Sequence, residues 1–187
     1  LSILPNKDAL EALVARVNFL GGVIGDPWPR DFAAELAGRL DAWLPLSGVS
    51  RLAQIPAGEL ASAARSLLDW PLPRDLDRLA PASFETPAGR RAEIDYTAEG
   101  GPRVACKVQE VFGPEPHPAI AGGTTPLTIE LLSPAQRPVA LTRDIQAFWR
   151  GGYIDLRKDL RGRYPKHAWP EDPADSVATS RAKPRGT

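Results

Sequence analysis

Between positions 150 and 167 stand six basic side chains, Arg150, Arg157, Lys158, Arg161, Arg163 and Lys166, against two acids, Asp155 and Asp159. Tyr164 lies among the last of these bases, and His167 and Trp169 follow closely. Cations that hold phosphates, with flat rings nearby for bases, are what single-stranded RNA binding uses. Arg157 and Arg161 are one helical turn apart, beside a Tyr153/Leu156/Leu160 apolar face. The same pattern also fits a solvated helix whose arginines pair with local acids and whose aromatics pack on a core. On the RNA reading, reversing the charge of Arg157 and Arg161 weakens binding and leaves the fold intact.

No other spacing points to chemistry. Gly122-Gly123-Thr124-Thr125 lacks the spaced glycine and lysine of a phosphate-cradling loop, and reads as a turn before the strand that begins at Pro126. Glu93 and Asp95 share one strand face, where paired carboxylates can do acid–base work, but a solvated strand face has the same pattern. Cys106 alternates with valines and reads as a small apolar core residue rather than a nucleophile. With one cysteine, and with His117 and His167 50 positions apart, a Cys/His zinc site is not expected. No catalytic, cofactor or metal residue is therefore assigned, and the chain does not read as an enzyme in its own right.

The elements that must position the basic segment follow from periodicity. Residues 1–82 read as short helices. The first opens near Asp8 with Glu11 as capping-box partner, carries Leu10, Leu13, Val14, Val17 and Leu20, and stops at Gly21-Gly22. A second follows Pro29 with Phe32, Leu36, Leu40, Trp43 and Leu44. A third starts near Pro56 with Leu60, Ala64, Leu67 and Leu68, and a brief fourth carries Leu76 and Leu79. From about 83 the period changes to two. Ala92, Ile94 and Tyr96 face one side of a strand that ends at Glu99-Gly100-Gly101. Val104 and Cys106 continue a strand, Val108, Val111 and Phe112 fit a helical turn capped by Gly113, and Leu127, Ile129 and Leu131 alternate in a further strand. PVALT at 138–142 supplies the last one. The proline- and glycine-rich run 113–126 is expected to be a connection without regular structure. Thr142 is expected to cap a helix through Ile145, Phe148 and Trp149, interrupted at Gly151-Gly152 before a second short helix. The expected fold is α+β: a helical N-terminal half (1–82), a small, largely antiparallel sheet with short basic C-terminal helices (83–173), and a disordered tail (174–187).

Composition narrows the setting. The chain's 23 bases balance 23 acids, so no global field drives it onto nucleic acid or membrane. The distribution is uneven: residues 141–187 hold ten bases against six acids, whereas 1–80 hold eight against ten. Twenty prolines, about twice the usual share, predict short elements and stiff connections. No apolar run reaches the ~18 residues of a membrane span. A single cysteine suits a reducing cytoplasm. The absence of methionine, even at position 1, suggests a piece of a longer protein.

Several ordered stretches carry a family resemblance: ARVNFL at 15–20, IDY at 94–96, QEVFG at 109–113, LLSPAQRP at 131–138, TRDIQAFW at 142–149, LRGRYPKHAWPEDP at 160–173 and RAKPRG at 181–186. Nearly the whole chain resembles the C-terminal region of the HrpB family, bacterial ATP-dependent RNA helicases of the DEAH/RHA group. The resemblance implies a cytoplasmic setting in RNA metabolism. It also implies a helicase core in the same parent chain that uses ATP and magnesium. The helicase motifs themselves are absent here, so the resemblance carries no catalytic or nucleotide-binding residue over. Two functions remain open: an accessory region that contacts RNA beside the helicase core, or a docking or structural module. The latter would buttress the helicase domains or recruit another protein through the 113–126 connection and the LSPAQRP loop.

Overall fold

The computed structural model describes residues 4, 7–45, 51, 54–56 and 58–181, and the chain divides into two compact units, Leu1–Ala82 and Ser83–Thr187. Each is described by itself. The fold is α+β, with helices in the first unit and a mixed sheet with helices in the second.

Unit 1 is organised on helix α1 (Asp8–Val23), against which α2 (Phe32–Gly38), α4 (Glu59–Arg65) and α5 (Leu72–Leu79) pack, while α3 (Leu40–Trp43) adjoins α2. The i, i+3, i+4 stripe of Leu10, Leu13, Val17 and Leu20 is buried, with Phe32, Leu36, Trp43, Leu60 and Leu76 also in the core. The start of α1 differs from the expected capping box. Lys7 is the N-cap without a side-chain bond, and Glu11 instead pairs with Lys7 at 2.8 Å. Nor does Gly21 stop the helix. A Cβ there would lie 2.2 Å from the Pro29 carbonyl oxygen, so this glycine permits close backbone approach inside α1. The second helix starts where Asp31 accepts from Ala34 N–H at 3.0 Å, but breaks at Arg39 and leaves Leu40 exposed. Buried Arg16 donates to Ala80 O and to Asp77, both at 2.6 Å, and ties α1 to α5. Arg65 also holds Asp77, and with Arg16 it keeps that carboxyl below the usual aspartate range.

In unit 2 the sheet runs β1 (Ser83–Glu85), β2 (Arg91–Asp95), β3 (Arg103–Lys107), β6 (Thr128–Leu132) and β7 (Pro138–Thr142), in that spatial order. The pairings are antiparallel except β3 with β6, which are parallel with Val104 opposite Ile129 and Cys106 opposite Leu131. The sheet is therefore mixed rather than simply antiparallel. A parallel pair needs a crossover of about a dozen residues or more, and 108–127 supplies it. That crossover opens with a 3-10 turn at Val108–Val111, and it is more regular than its composition predicts. It contains a hairpin of β4 (Ala119–Ile120) and β5 (Thr125–Pro126), turned through Ala121, Gly122 and Gly123 at positive φ. Ile145 N–H donates to His117 Nδ1 at 3.1 Å, so the ring carries its proton on Nε2, which donates to Leu127 O at 2.7 Å. His117 thus ties the crossover to its own last residue, just before β6, and to the next helix.

The alternation around Ala92, Ile94, Val104, Cys106, Ile129 and Leu131 buries one sheet face, and Glu93 and Asp95 lie exposed on the other. Burial pushes the Cys106 thiol up to about 12, with the Glu110 charge adding to it, which leaves no thiolate nucleophile near neutral pH. Thr142 does not cap the following helix. Its Oγ1 accepts from Asp144 N–H at 3.1 Å, and Asp144 is the N-cap, accepting from Ala147 N–H at 2.9 Å. Helices α6 (Ile145–Arg150) and α7 (Gly152–Arg163) follow. In the expected tail, Thr179 N–H donates to Gln109 O at 2.8 Å, and 182–187 lie outside the described residues.

Candidate nucleic-acid interface

The basic segment is positioned by an aromatic core. Trp149 from α6 and Tyr153 from α7 meet edge-to-face at 5.3 Å, and each also meets Phe112 edge-on, at 5.7 and 6.0 Å. The chain turns from α6 to α7 at Gly151-Gly152, where a Cβ on Gly152 would lie 2.8 Å from the Phe148 ring. Glycine there lets that ring cover the start of α7.

After α7 the chain folds back as 164–173 and is held at several points. Tyr153 Oη donates to Pro170 O at 3.0 Å, and Trp169 Nε1 donates to Tyr164 O at 3.0 Å. Gly113 N–H donates to Pro173 O at 2.9 Å. Arg157 is part of this clamp. Its Nε donates to Trp169 O at 3.0 Å, and its Nη2 meets Glu171 at 3.1 Å. The spacing that pairs Arg157 with Arg161 also places it four residues from Tyr153 and three from Leu160, on the margin of the core. Charge reversal at Arg157 would therefore disturb the fold, contrary to the expectation from sequence.

The other predicted residues divide into two sets. Arg150, Arg161 and Lys166 are exposed and make no ion pair among the described residues. Lys158 pairs with Asp155 at 3.2 Å and Arg163 with Asp159 at 3.1 Å, both as solvent-exposed pairs within α7. Such pairs contribute on the order of 0–1 kcal/mol, so a phosphate can displace the carboxylate at little cost. Tyr164 is half-buried, and its ring stands perpendicular to that of His167, with 6.2 Å between centroids. A residue overlooked in the sequence joins the basic surface. Ile154 is 51% exposed and precedes Lys158 by one turn.

His167 gives this region a pH dependence. Burial, and secondly the charge of Lys107, lower its pKa, and its Nδ1 is buried without a partner among the described residues. The unfolded chain then takes up the proton at higher pH than the folded one. Stability is full above the ordinary histidine value of about 6.5 and declines as pH falls toward the lower folded-state value. Urea titrations at a series of pH values between 7.5 and 5.5 should show this decline, and His167→Gln should remove the histidine's share of it.

Gly122 and Gly123 close the β4–β5 hairpin, and Thr124 Oγ1 is spent on Ala121 O at 2.8 Å. Among the described residues no helix is long and apolar enough to cross a membrane.

The sequence profile of the ATP-dependent helicase C-terminal family, HrpB_C, matches residues 43–173. The chain belongs to that family. It is 42% identical over 158 residues to the ATP-dependent RNA helicase HrpB of Escherichia coli strain K12, covering 83% of this chain and 20% of the relative. It therefore spans about a fifth of the length of that curated relative. A crystal structure of the E. coli DExH-box NTPase HrpB matches over 97% of this chain and 23% of its own, with a TM-score of 0.86 and 39% identity. A second, of the Escherichia coli DEAH/RHA helicase HrpB, matches over 90% of this chain and 22% of its own, at TM-score 0.72 and 36% identity. The HrpB_C match runs from Trp43, the last residue of α3, to the end of the 164–173 clamp, and so includes the basic residues of 150–166.

Proposed function

We propose that this HrpB_C region is a non-catalytic accessory part of an ATP-dependent RNA helicase. In this reading it extends the RNA path beside the helicase core through the outer surface of α6, α7 and the clamp. ATP and magnesium belong to that core, and the setting is the bacterial cytoplasm. The observation that carries the reading is the set of exposed cations Arg150, Arg161 and Lys166, without an ion pair among the described residues, together with the exchangeable pairs of Lys158 and Arg163.

Three cations on a single strand give a log–log salt slope of about −2. Anisotropy titration of a fluorescein-labelled 12-nucleotide RNA at 50 and 200 mM salt measures it. The variant R150E/R161E/K166E, which leaves the Arg157 clamp untouched, is expected to lose at least about 10-fold in affinity at the lower salt and to flatten the slope. Wild-type affinity in a variant with native circular dichroism would remove α7 as an RNA surface.

A second reading, docking against the helicase domains or another protein, draws on a different observation. Phe84, Pro87, Val111, Pro116, Pro118 and Ile145 line an open cavity of about 370 Å³ in unit 2. Calorimetric binding of this chain to the separately produced helicase core, without RNA binding, would favour it.

A further inference from the structure

The most exposed aromatic ring among the described residues is not in the basic segment. Trp70, between α4 and α5 of unit 1, is 76% exposed. The Arg74 guanidinium lies over its indole, 5.4 Å from the ring centroid. Arg78 follows one turn later, and the side chains of Arg74 and Arg78 are 66% and 65% exposed. Arg74 and Arg78 are thus one turn apart on α5, and Trp70, in the turn that precedes the helix, joins them through the Arg74–indole contact.

The group's charges favour an anion. Asp75 lies recessed between the two arginines at 21% exposure, 3.6 Å from Arg74 and 3.4 Å from Arg78. Those distances exceed the 2.7–2.9 Å or so of a strong charge-assisted bond, so both guanidinium groups keep donors for another acceptor. Asp77, the next carboxylate of α5, is held by Arg16 and Arg65. Asp69, which precedes the ring, is exposed. A protein-docking anchor sits within an apolar surround. The ring's chain neighbours here are Asp69, exposed Pro71 and the two arginines. A flat ring with one cation over it and a second cation a turn away suits a nucleobase and its phosphates.

We propose that Trp70, Arg74 and Arg78 form a second single-stranded RNA contact, on unit 1, in which a base stacks on the Trp70 indole and the two guanidinium groups hold adjacent phosphates. The inference rests on the RNA-contacting reading above but places the base recognition elsewhere. The helical unit would then grip a base while the basic surface of unit 2 supplies charge alone.

The test uses the full chain with two fluorescein-labelled probes, a 12-nucleotide oligoadenylate and a ribose-phosphate oligomer of the same length without bases. Trp70→Ala is expected to weaken oligoadenylate binding about 5- to 30-fold and to leave the abasic oligomer unchanged. Trp70→Phe, which keeps a stacking ring, should stay within about 3-fold of wild type. R74E/R78E should weaken both probes. Unchanged oligoadenylate affinity in Trp70→Ala, alongside a loss in R150E/R161E/K166E, overturns this proposal and leaves the α7 interface standing. Loss in Trp70→Ala with an unaffected triple variant supports the proposal and removes α7. An equal fall on both probes in Trp70→Ala overturns stacking, and no binding of either probe at 50 mM salt overturns both sites. Weakened association with the helicase core, with RNA affinity intact, would assign Trp70 to protein docking instead.

Discussion

Tyr153→Ala is expected to destabilise unit 2 by about 4 kcal/mol, within the range measured for removing a buried aromatic side chain. The ring is 1% exposed and touches Trp149 and Phe112 edge-on, so its removal leaves a cavity bounded by two large rigid rings that close it poorly. It also frees Pro170 O, which the hydroxyl holds at 3.0 Å, and so loosens the return of the chain after α7. Tyr153→Phe keeps the ring and loses only that bond, at about 1 kcal/mol. Urea unfolding followed by near-ultraviolet circular dichroism separates the two variants, because the signal of the Trp149 packing disappears only with the ring. A spectroscopic control is available as well. Burial raises the Tyr153 phenol to about 12, so one of the three tyrosines should ionise late in an alkaline titration, and that step should vanish in Tyr153→Phe. If the α7 surface binds RNA, Tyr153→Ala should reduce affinity by disordering Arg161 and Lys166, while Tyr153→Phe should not.

What the sequence discloses about this molecule depends on whether a signal is local. The alternation of Ala92 and Ile94 (though not Tyr96, which lies just past the end of β2), the change from a helical period to a period of two near 83, and the glycine interruption at 151–152 are all written in neighbouring residues. Each corresponds to an element found in the structure. The parallel pairing of β3 with β6 is not written that way. It is fixed by the 108–127 crossover and by His117 bonding two distant backbone groups, neither of which has a periodic signature. Gly21 has the composition of a stop signal, yet its requirement comes from Pro29, which approaches from beyond the helix. The same limit governs the site. Six bases between 150 and 166 can be counted from sequence, but Arg157 is drawn inward by Trp169 O and Glu171, partners supplied only when the chain doubles back. Tyr164, chosen for its ring, is half-buried, while Trp70, outside the basic segment that drew attention, is 76% exposed.

Glu110→Ala is expected to cost about 3 kcal/mol, because it takes the carboxylate from the part-exposed Arg90 and leaves the Lys107 N–H without its buried acceptor. Glu110 is 2% exposed, and its Oε2 accepts from Arg90 Nε and from Lys107 N–H, both at 2.9 Å. Its own carbonyl accepts from Ala88 N–H at 3.2 Å, so one residue of the 3-10 turn holds both the β1–β2 connection and the end of β3. The Arg90 side chain is 40% exposed, which lets water take up part of its lost pairing and keeps the expected loss at the lower end for a broken buried pair. Arg90 retains Ala105 O at 2.9 Å, a further reason the damage is limited. Arg90→Met alone strands the buried carboxylate and should also destabilise, whereas the double variant E110Q/R90M should lose less than the sum of the two single changes. Cys106 supplies an internal reporter for the same region. Buried on β3 with its thiol raised to about 12, it should react with a disulfide reagent only when the strand opens. Native chain should therefore label slowly, and Glu110→Ala should accelerate labelling by roughly the factor that its loss of urea stability converts to, up to about 150-fold for 3 kcal/mol. Labelling as slow as in the native chain, with urea stability reduced, would mean that the strain falls on the β1–β2 connection and leaves the β3–β6 pair closed. The sheet's parallel centre would then be the more durable part of unit 2, and the hairpin beside it the part that opens first.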